Sequence, residues 1–552
     1  MISNSSTPFE VLLSLTGDVD EELFIKHAYL SLLIKNVLFC KYLPDKVGKS
    51  VHSFVELAEY FESKGVELFI NDFYNWVNNI QEIREDVFQA LIDAKYESED
   101  IFRVIYQDMV SPSTRHALGE FYTPPELARL MVDEVYQFGK ITLDPACGSV
   151  TFLVEIINKI KNEGKDDKEI IKAINNLYGF DVNPIAVLVS KANILINLDE
   201  FPQTQLPVNI FLTDSLKSIE VNPQSSMEWG KFLTFPLGSF GELKINERFF
   251  QENTSVDPRN YLEDFAKYLR FIDECMTIEN DHKKIINLFD IRFKDSWLNN
   301  PIPGSLNNYR KNLHYLIKYI TDLHQEKRNH IWLFLLYNSI GSRLIRNKVD
   351  LIIGNPPWVV LHSIFSKEYK EEIKNLAKNL DIMMGGKNAS NTEMSSIFFC
   401  RCRDLYLKNK GQIFFAVTTG IMSGDQHSKF RRFKGFGNAK IWKFTQDVFK
   451  IHNICLFLEK SENVEIKKRV RVMVNEFECI NDDSGIKFDK KDPIYYKPYN
   501  FENIKDDEDL VYRFIPEKHL DSLLPRKKSY YYDKFYAGAR LGPRVLLLID
   551  IN

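Results

Sequence analysis

Residues 349–358 read VDLIIGNPPW, a run of apolar residues that ends in asparagine, two prolines and tryptophan. A continuous apolar run closed by glycine and proline is typical of a strand buried on both faces of a sheet. The turn after it brings an amide, a rigid backbone carbonyl and a flat ring to the carboxyl end of that strand. The Asn355 side-chain oxygen and the Pro356 carbonyl can accept both hydrogens of one exocyclic amino group, while Trp358 stacks on the ring that carries it. The segment therefore predicts a strand followed by a site for a planar amine.

Strand, tight loop and helix alternate on both sides of this segment. Seven predicted strands share a short apolar run bounded by turn residues, and they lie at 141–144, 177–181, 209–212, 349–354, 411–417, 441–444 and 454–458. Helices are predicted between them, for example at 150–161 and 184–197. This alternation is typical of a parallel sheet with helices on both faces. We expect an α/β fold built on a doubly wound, seven-stranded, Rossmann-like sheet.

The chain divides into four predicted regions around this sheet. Residues 1–117 have apolar positions at helical spacing and predict a helical amino-terminal domain. Residues 118–217 and 346–462 carry the sheet, and the long connection between them, residues 218–345, predicts a mostly helical insertion. The pattern weakens after residue 462, and residues 545–552, VLLLIDIN, look like the middle of a strand. Residues 463–552 therefore predict the start of a target-recognition or carboxyl-terminal domain that the sequence does not complete.

The composition indicates an ordinary globular protein. Hydrophobic residues make up 44% of the chain and charged residues 27%, which are usual proportions for a soluble domain. The start shows no secretory signal, and no apolar stretch approaches the ~20 residues that cross a bilayer. Seven scattered cysteines indicate a reduced, cytoplasmic protein. We expect no metal site, because Cys400 and Cys402 are separated by a single residue, a spacing that does not suit zinc.

Three acidic residues end the first three predicted strands. Asp144 opens the loop DPACGS (144–149), in which Gly148 permits a ligand to approach the backbone. Asp181 can accept hydrogen bonds from both ribose hydroxyls of a nucleoside cofactor, and Asp214 can accept one from an adenine amino group. The glycine patterns of dinucleotide-binding loops and of ATPases are absent, so the expected ligand is neither a dinucleotide nor ATP.

Two basic clusters with interleaved aromatic residues are candidate DNA-contacting surfaces, although the net charge is −5. A DNA-binding protein needs only a local basic face. The first cluster contains Lys429, Arg431 and Arg432. The second runs from Arg526 to Arg544 with six basic residues against one acidic residue, and it begins with Arg526, Lys527 and Lys528. For either cluster, a solvated face over buried aromatic residues is the alternative.

Four segments together carry a resemblance to a known family: GEFYTPP (119–125), DPACGS (144–149), GFD (179–181) and NPPW (355–358). The set resembles the amino-group DNA methyltransferases that make N6-methyladenine. The order of the segments resembles the gamma arrangement of type I modification subunits and of large single-chain type II restriction-modification enzymes. The resemblance covers about residues 85–460.

This resemblance implies a cofactor and a set of site residues. The implied cofactor is S-adenosylmethionine, and the residues that would hold it are Phe121, Tyr122, Thr123, Pro124, Asp144, Ala146, Gly148, Asp181 and Asp214. The residues that would hold a flipped-out adenine are Asn355, Pro356, Pro357 and Trp358. Phe449 is the candidate for the other face of the base, with a plain core position as the alternative. The implied partners are double-stranded DNA and a separate specificity or restriction subunit. The implied reaction is methyl transfer to adenine N6 in a restriction-modification or phage-defence system, without a metal.

One position departs from the family pattern. The family continues Cys-Gly-Ser-Gly, whereas this chain has Val150 after Ser149. A branched side chain there would crowd the cofactor pocket or tilt the following helix. Two alternatives therefore stay open: a non-catalytic DNA-binding subunit with a disabled pocket, and a methyltransferase that acts on a protein glutamine or on RNA. The second class shares the Asn-Pro-Pro-aromatic turn.

Overall fold

The computed structural model describes most of the predicted sheet region. The described residues are 21–43, 54–64, 122–198, 208–217, 278–293, 341–449, 451–461, 472–482, 485–499 and 513–520, with shorter stretches between 221 and 338 and single residues at 66 and 102. Phe121 lies outside them, as do Arg526, Lys527 and Lys528. None of the helices in this described part is long and apolar enough to cross a bilayer.

Two helices represent the amino-terminal region, α1 (Glu21–Tyr42) and α2 (Phe54–Ser63). The first half of the sheet region then follows with alternating elements: α3 (Pro125–Val135), β1 (Thr142–Asp144), α4 (Thr151–Lys161), α5 (Asp167–Ile174), β2 (Leu177–Asp181), α6 (Pro184–Asn197) and β3 (Asn209–Leu212). The predicted bounds of β2, α6 and β3 agree with these to the residue.

The region predicted as a mostly helical insertion also contains strands. A three-stranded antiparallel sheet consists of β4 (Val221–Asn222), β5 (Phe232–Pro236) and β6 (Glu242–Asn246), and helix α7 (His282–Arg292) follows. This small sheet was not predicted from the sequence. Farther along the predicted insertion, the described residues include helical stretches at 314–318 and 320–322.

The second half of the sheet region resumes at the NPPW segment. Its elements are β7 (Val349–Gly354), α8 (Lys367–Asn379), α9 (Met394–Leu405), β8 (Leu407–Thr418), α10 (Gly420–Ser423), β9 (Phe436–Phe444) and β10 (Asn453–Lys460). Strand β7 has the predicted bounds. Four further strands and a short helix follow: β11 (Val472–Asp482), β12 (Gly485–Lys490), β13 (Ile494–Tyr499), β14 (Arg513–Pro516) and α11 (Glu517–Leu520).

These strands form one 11-stranded sheet in the order β14-β13-β11-β9-β10-β8-β7-β1-β2-β3, with β12 paired to β11. The seven predicted strands are contiguous within it, as β9-β10-β8-β7-β1-β2-β3. Neighbouring strands in the run β3-β2-β1-β7-β8 pair in parallel. Strand β10 is antiparallel to both of its neighbours, β8 and β9. The fold is thus the expected doubly wound, Rossmann-like α/β sheet, extended by four strands that were not predicted.

Two hydrophobic cores cover the two faces of this sheet, and β7 explains why its sequence is apolar throughout. Ile352 packs in one core, whereas Leu351 and Ile353 pack in the other. Alternate residues of a strand point to opposite faces, so both faces of β7 are covered. A third core lies farther out, where α1 and α2 pack against α6. The residues of α6 in this third core are Ile185, Leu188, Val189, Ala192 and Leu195.

Candidate active site

The carboxyl ends of the parallel strands bring three predicted loops into direct contact. The backbone N–H of Cys147 donates to the carbonyl of Phe180 at 2.9 Å, and that of Thr213 donates to the carbonyl of Asp181 at 2.8 Å. The Ser215 hydroxyl donates to the Pro145 carbonyl at 2.5 Å. The loops after β1, β2 and β3 are therefore joined to one another along a single edge of the sheet.

The NPPW loop lies at this same edge. A β-carbon added to Gly354, the last residue of β7, would lie 2.5 Å from Oδ1 of Asp144. Only glycine allows this approach, because any side chain would collide with the carboxylate. Asn355 is the next residue, and its side-chain oxygen is buried. The structure thus brings the predicted amine-holding loop and the first acidic strand end together.

Asp181 and Gly148 bond to each other across the first two loops. Asp181 accepts hydrogen bonds from the N–H groups of Gly148 at 2.9 Å and Asn183 at 2.8 Å. Gly148 has a φ of +53°, and a β-carbon built on it would meet no atom within 4 Å. The positive φ explains the glycine, and the open space is where a ligand can approach the loop.

Two polar residues of α6, neither of them predicted as a site residue, support this loop. The Ser190 hydroxyl donates to the carbonyl of Gly148 at 2.6 Å, and the Asn193 amide donates to the carbonyl of Ser149 at 3.0 Å. Both side chains are buried. They are three residues apart in a mostly apolar helix, and this spacing puts them on one face. That polar pair was the available signal.

Desolvation affects all three acidic residues. Burial raises the pKa of Asp144 to about 8; the N–H of Ala146 opposes this and the charge of Asp181 adds to it. Burial also raises the pKa of Asp181, although backbone N–H groups of Asn183, Gly148 and Val182 lower it in part. The pKa of Asp214 is raised by burial as well, against the nearby Lys217. Desolvated acids gathered at one strand edge are typical of a ligand-binding site.

Asp214 has a side-chain partner that the sequence did not indicate. One carboxylate oxygen accepts a hydrogen bond from the N–H of Leu216 at 2.9 Å. The other accepts one from the hydroxyl of Tyr369 at 3.2 Å. Tyr369 lies in α8, 155 residues later in the chain, so no local pattern could have connected the two.

The predicted base-stacking residues are in contact with each other. The indole N–H of Trp358 donates to the carbonyl of Ala416 in β8 at 3.2 Å. Its ring centroid lies 4.8 Å from that of Phe449, which belongs to the loop between β9 and β10. The structure therefore places both rings at the same point of the sheet edge.

Val150 has a backbone conformation that explains the glycine of the family pattern. It is the residue before α4, with φ +66° and ψ 27°, in the left-handed region. A β-branched residue in this region is strained by about 1–3 kcal/mol. Its side chain is fully buried in the apolar cluster formed with Cys147, Phe152 and Leu153 among others.

The segment before α3 is only partly described. Thr123 is buried, and Tyr122 packs against the core shared by α1, α2 and α6. Pro124 precedes the first residue of α3, Pro125, which suits the first turn because it has no N–H to leave unbonded. Contacts of these residues with a cofactor stay predictions.

The first basic cluster needs a correction at Arg431. Its side chain is 1% exposed and donates to the carbonyls of Ile421 at 3.0 Å and Gly424 at 2.8 Å. Burial lowers its pKa to about 10. A guanidinium enclosed in this way cannot reach a phosphate, so the burial argues against the predicted DNA contact of Arg431.

Lys429 and Arg432 are partly exposed, and both pair with Asp381. The Arg432 guanidinium donates to the Asp381 carboxylate at 2.7 Å, and the Lys429 ammonium lies 3.3 Å from it. Burial alone would raise the pKa of Asp381, but these two cations outweigh it and lower the pKa. A DNA contact by Lys429 or Arg432 stays a prediction.

Comparison with known families gives two overlapping matches. Residues 175–449 match the family described as Eco57I restriction-modification methylase. Residues 97–232 match the family described as N-6 DNA Methylase. The first match includes the NPPW loop, the second includes Asp144, and both include Asp181 and Asp214.

Individual relatives match shorter segments. A stretch of 101 residues is 36% identical to the type I restriction enzyme MjaIX methylase subunit of Methanocaldococcus jannaschii, and it covers 18% of this chain and 17% of that protein. A stretch of 146 residues is 28% identical to the type I restriction enzyme EcoEI methylase subunit of Escherichia coli, and it covers 25% of this chain and 29% of that protein. The matches thus span less than a third of either relative.

Among solved structures, the cryoEM structure of a DrdV-DNA complex is similar to this chain. The two superpose with a TM-score of 0.45 and 13% sequence identity, and the match covers 91% of this chain and 44% of that chain. The two family matches together run through residues 97–449 and so include all four strand ends of the site. Residues 97–449 are therefore similar to N-6 DNA methylases and to restriction-modification methylases.

Proposed function

We propose that this chain is a site-specific adenine N6-methyltransferase that transfers a methyl group from S-adenosylmethionine to a flipped-out adenine in double-stranded DNA. The approach of Gly354 to Asp144 carries the proposal, because it joins the amine-holding loop to the edge expected to bind the cofactor. The two family matches support the same reaction.

The residues at this edge fit the proposed cofactor. The open space at Gly148 admits a ligand to the loop, and Asp181 is partly exposed beside it. Carboxylate oxygens have lone pairs beyond those used by the backbone N–H groups, so Asp181 can also accept from ribose hydroxyls. We assign Asp144 and Gly148 to the amino acid part of the cofactor, Asp181 to its ribose and Asp214 to its adenine. When bound, S-adenosylmethionine supplies an electrophilic methyl group on a sulfonium.

Asn355 and Pro356 act on the target amine. The lone pair of adenine N6 is delocalised into the ring, so this nitrogen is a poor nucleophile. Hydrogen bonds from both amino hydrogens to the Asn355 oxygen and the Pro356 carbonyl favour a pyramidal nitrogen with a localised lone pair. Accurate placement of two reactants can lower a barrier by ~7–11 kcal/mol, and neither a metal nor a cysteine nucleophile is required for it.

The base must leave the duplex before it can react. The N6 atom of a stacked, paired adenine is inaccessible, and enzymes that act on bases extrude them into a pocket. Trp358, with its indole N–H fixed to Ala416, is the proposed stacking surface, and Phe449 is the proposed ring on the other side. We expect sequence recognition from residues 463–552 or from a separate subunit, with phosphate contacts from exposed basic residues.

The open alternatives are less well supported. Both family matches and both curated relatives are described as DNA or restriction-system methylases, which does not favour an RNA or protein-glutamine substrate. The side chain of Val150 packs within an apolar cluster, so its presence gives no direct reason to infer a disabled pocket.

The proposal is tested by replacing Asn355 with alanine. The purified chain is incubated with S-adenosylmethionine and DNA free of N6-methyladenine, and nucleosides are analysed by mass spectrometry, which needs no knowledge of the target sequence. We expect N6-methyladenine with the native chain. The Asn355→Ala variant should lose about 100-fold or more of this activity.

Calorimetric titration with S-adenosylhomocysteine is the control. The variant should bind this product as tightly as the native chain, because Asn355 is assigned to the base and not to the cofactor. Full activity in the variant would exclude the proposed base contact. Absence of both methylation and product binding in the native chain would exclude the function itself.

A further inference from the structure

Helix α8 covers the end of β3 where Asp214 lies. The helix is mostly charged, and a single buried stripe of Tyr369, Ile373 and Ala377 attaches it to the protein. The N–H of Tyr369 donates to the hydroxyl of Ser366 at 3.2 Å, which fixes the first turn. Tyr369 therefore enters the protein from the first turn of α8, with its hydroxyl 3.2 Å from the Asp214 carboxylate.

The backbone that carries Asp214 is held from several directions. The carbonyl of Ser215 accepts a hydrogen bond from the Tyr406 hydroxyl at 3.2 Å, and the carbonyl of Leu216 accepts one from Arg401 at 2.8 Å. The Ser215 hydroxyl reaches the Pro145 carbonyl of the first loop. Because this backbone is fixed, the hydrogen bond from the Tyr369 hydroxyl orients Oδ2 of the Asp214 carboxylate.

We propose that Tyr369 is a positioning residue for cofactor recognition, and that its hydroxyl holds the Asp214 carboxylate as an acceptor for the amino group of the cofactor's adenine. The inference rests on the proposed function, which assigns Asp214 to that adenine. A carboxylate oxygen can accept more than one hydrogen bond, so the Tyr369 bond leaves a lone pair for the ligand.

The consequence is selectivity for adenine over hypoxanthine. An ionised carboxylate only accepts hydrogen bonds, so it binds the amino group of adenine and repels the carbonyl oxygen that hypoxanthine carries at the same position. A protonated Asp214 could donate to that carbonyl and would lose the preference. Tyr369 therefore acts by keeping the acid in its accepting form.

The charges around Asp214 set the direction of the pH effect. Burial raises its pKa, and Lys217, the Leu216 N–H and the Tyr369 hydroxyl all lower it, whereas Glu372 raises it. Lys217 pairs with Glu372 at 2.5 Å and lies 4.9 Å from the centre of the Tyr369 ring. Cys402 and Tyr406 also face the carboxylate from α9 and the residue after it.

Removing the Tyr369 hydroxyl takes away one of the groups that lower this pKa. Asp214 then protonates at a higher pH than in the native chain. Binding of an adenine ligand needs the ionised form, so affinity is complete above the pKa of Asp214 and is lost as the pH falls through it. The loss should therefore begin at a higher pH in Tyr369→Phe.

The experiment measures the binding of two ligands to the native full chain and to two tyrosine variants of it. Calorimetry measures the affinity of S-adenosylhomocysteine and of S-inosylhomocysteine, its deaminated analogue, from about pH 5 to about pH 8. The variants are Tyr369→Phe and, as a matched control, Tyr406→Phe. Tyr406 is also buried, but its hydroxyl bonds to a backbone carbonyl instead of the carboxylate.

We expect Tyr369→Phe to lower the preference for the adenine ligand about five- to tenfold and to move the pH profile upward. Tyr406→Phe should change the affinity for both ligands by the same factor and leave the pH profile in place. Asp214→Asn provides a second variant, in which the pH dependence due to this residue should disappear.

Equal weakening of both ligands by Tyr369→Phe, with an unshifted pH profile, would overturn the inference and leave Tyr369 with a packing role. A native chain that binds S-adenosylhomocysteine without preferring it to the inosine analogue would also overturn it, while the proposed function would stand. A native chain that binds neither ligand would remove the proposed function and the inference together.

Discussion

The rings of Trp358 and Phe449 contact each other edge to face, with centroids 4.8 Å apart and planes inclined by 62°. A planar base cannot lie between two rings at this separation. Trp358 is fixed to β8 through its indole N–H, whereas Phe449 belongs to the loop that joins β9 to β10. If the two rings enclose the target base, the Phe449 loop is the part that must move.

The first prediction concerns this pair. Phe449→Ala should lower kcat/KM for DNA methylation by roughly 5- to 150-fold, because stacking of one base on an aromatic ring contributes about 1–3 kcal/mol. Phe449→Tyr keeps the ring and should retain most of the activity. The measurement is the rate of N6-methyladenine formation at low DNA concentration. Equal rates for the alanine and tyrosine variants would mean that the ring does not contact the base.

The second prediction concerns the strain at Val150. Both Val150→Gly and Val150→Ala remove buried methyl groups, but only glycine also relieves the left-handed backbone, by about 1–2 kcal/mol. We therefore expect the glycine variant to be at least as stable as the alanine variant, although alanine keeps a buried β-carbon. Unfolding in urea measures the difference. A clearly more stable alanine variant would show that φ at this position is not strained.

The third prediction follows from the raised pKa of Asp144, about 8 when folded. The unfolded chain releases this proton near pH 4, so between about pH 4 and about pH 8 the folded state binds more protons and its stability falls as the pH rises. Asp144→Asn removes this effect. Without cofactor, the variant should melt at a higher temperature than the native chain at pH 8 and at nearly the same temperature at pH 4.

The same substitution should weaken binding of S-adenosylhomocysteine, since Asp144 is assigned to the charged amino group of the cofactor. A gain in melting temperature with a loss of affinity is the expected combination at a site that keeps a desolvated acid for function. An unchanged difference between native and variant melting temperatures across this pH range would contradict the raised pKa.

The fourth prediction separates two members of the first basic cluster. Arg431→Met should destabilise the chain by about 1–3 kcal/mol, because the buried carbonyl of Ile421 loses its donor, and it should not change the salt dependence of DNA binding. If Lys429 contacts a phosphate, Lys429→Met should lower the slope of log affinity against log salt by ≈ 1 and leave stability nearly unchanged. Filter binding over a salt series distinguishes the two.

Local pattern was sufficient for the inner strands. The β7 segment is apolar at every position that faces a core, and Asn183 and Pro184 mark the start of α6, so both elements could be predicted to the residue. Apolar residues that alternate with polar ones give a weaker signal than a continuous apolar run. Strand β11 buries Val472, Val474, Phe477 and Cys479, but its parallel partner β9 could not be inferred from its own sequence.

The candidate site divides in the same way. Asp144, Asp181, Asp214 and Asn355 could be predicted, because each follows a recognisable strand. Ser190 and Asn193 gave a signal as a polar pair in an apolar helix, but their backbone partners, 42 and 44 residues away, could not be inferred. Tyr369 gave no local signal, because the carboxylate it contacts is 155 residues away. Arg431 was misassigned because a run of basic residues does not reveal which side chain turns inward.

Helix α6 has two roles that a shortened chain would separate. Its Ser190 and Asn193 brace the loop at Gly148, while Leu188 and Leu195 on another side pack under α1. The Tyr42 hydroxyl also donates to the carbonyl of Leu195 at 2.8 Å. A truncation that removed α1 and α2 would expose the apolar side of α6 to solvent. Such a fragment should aggregate or bind S-adenosylmethionine more weakly, even though it keeps the strand-end motifs.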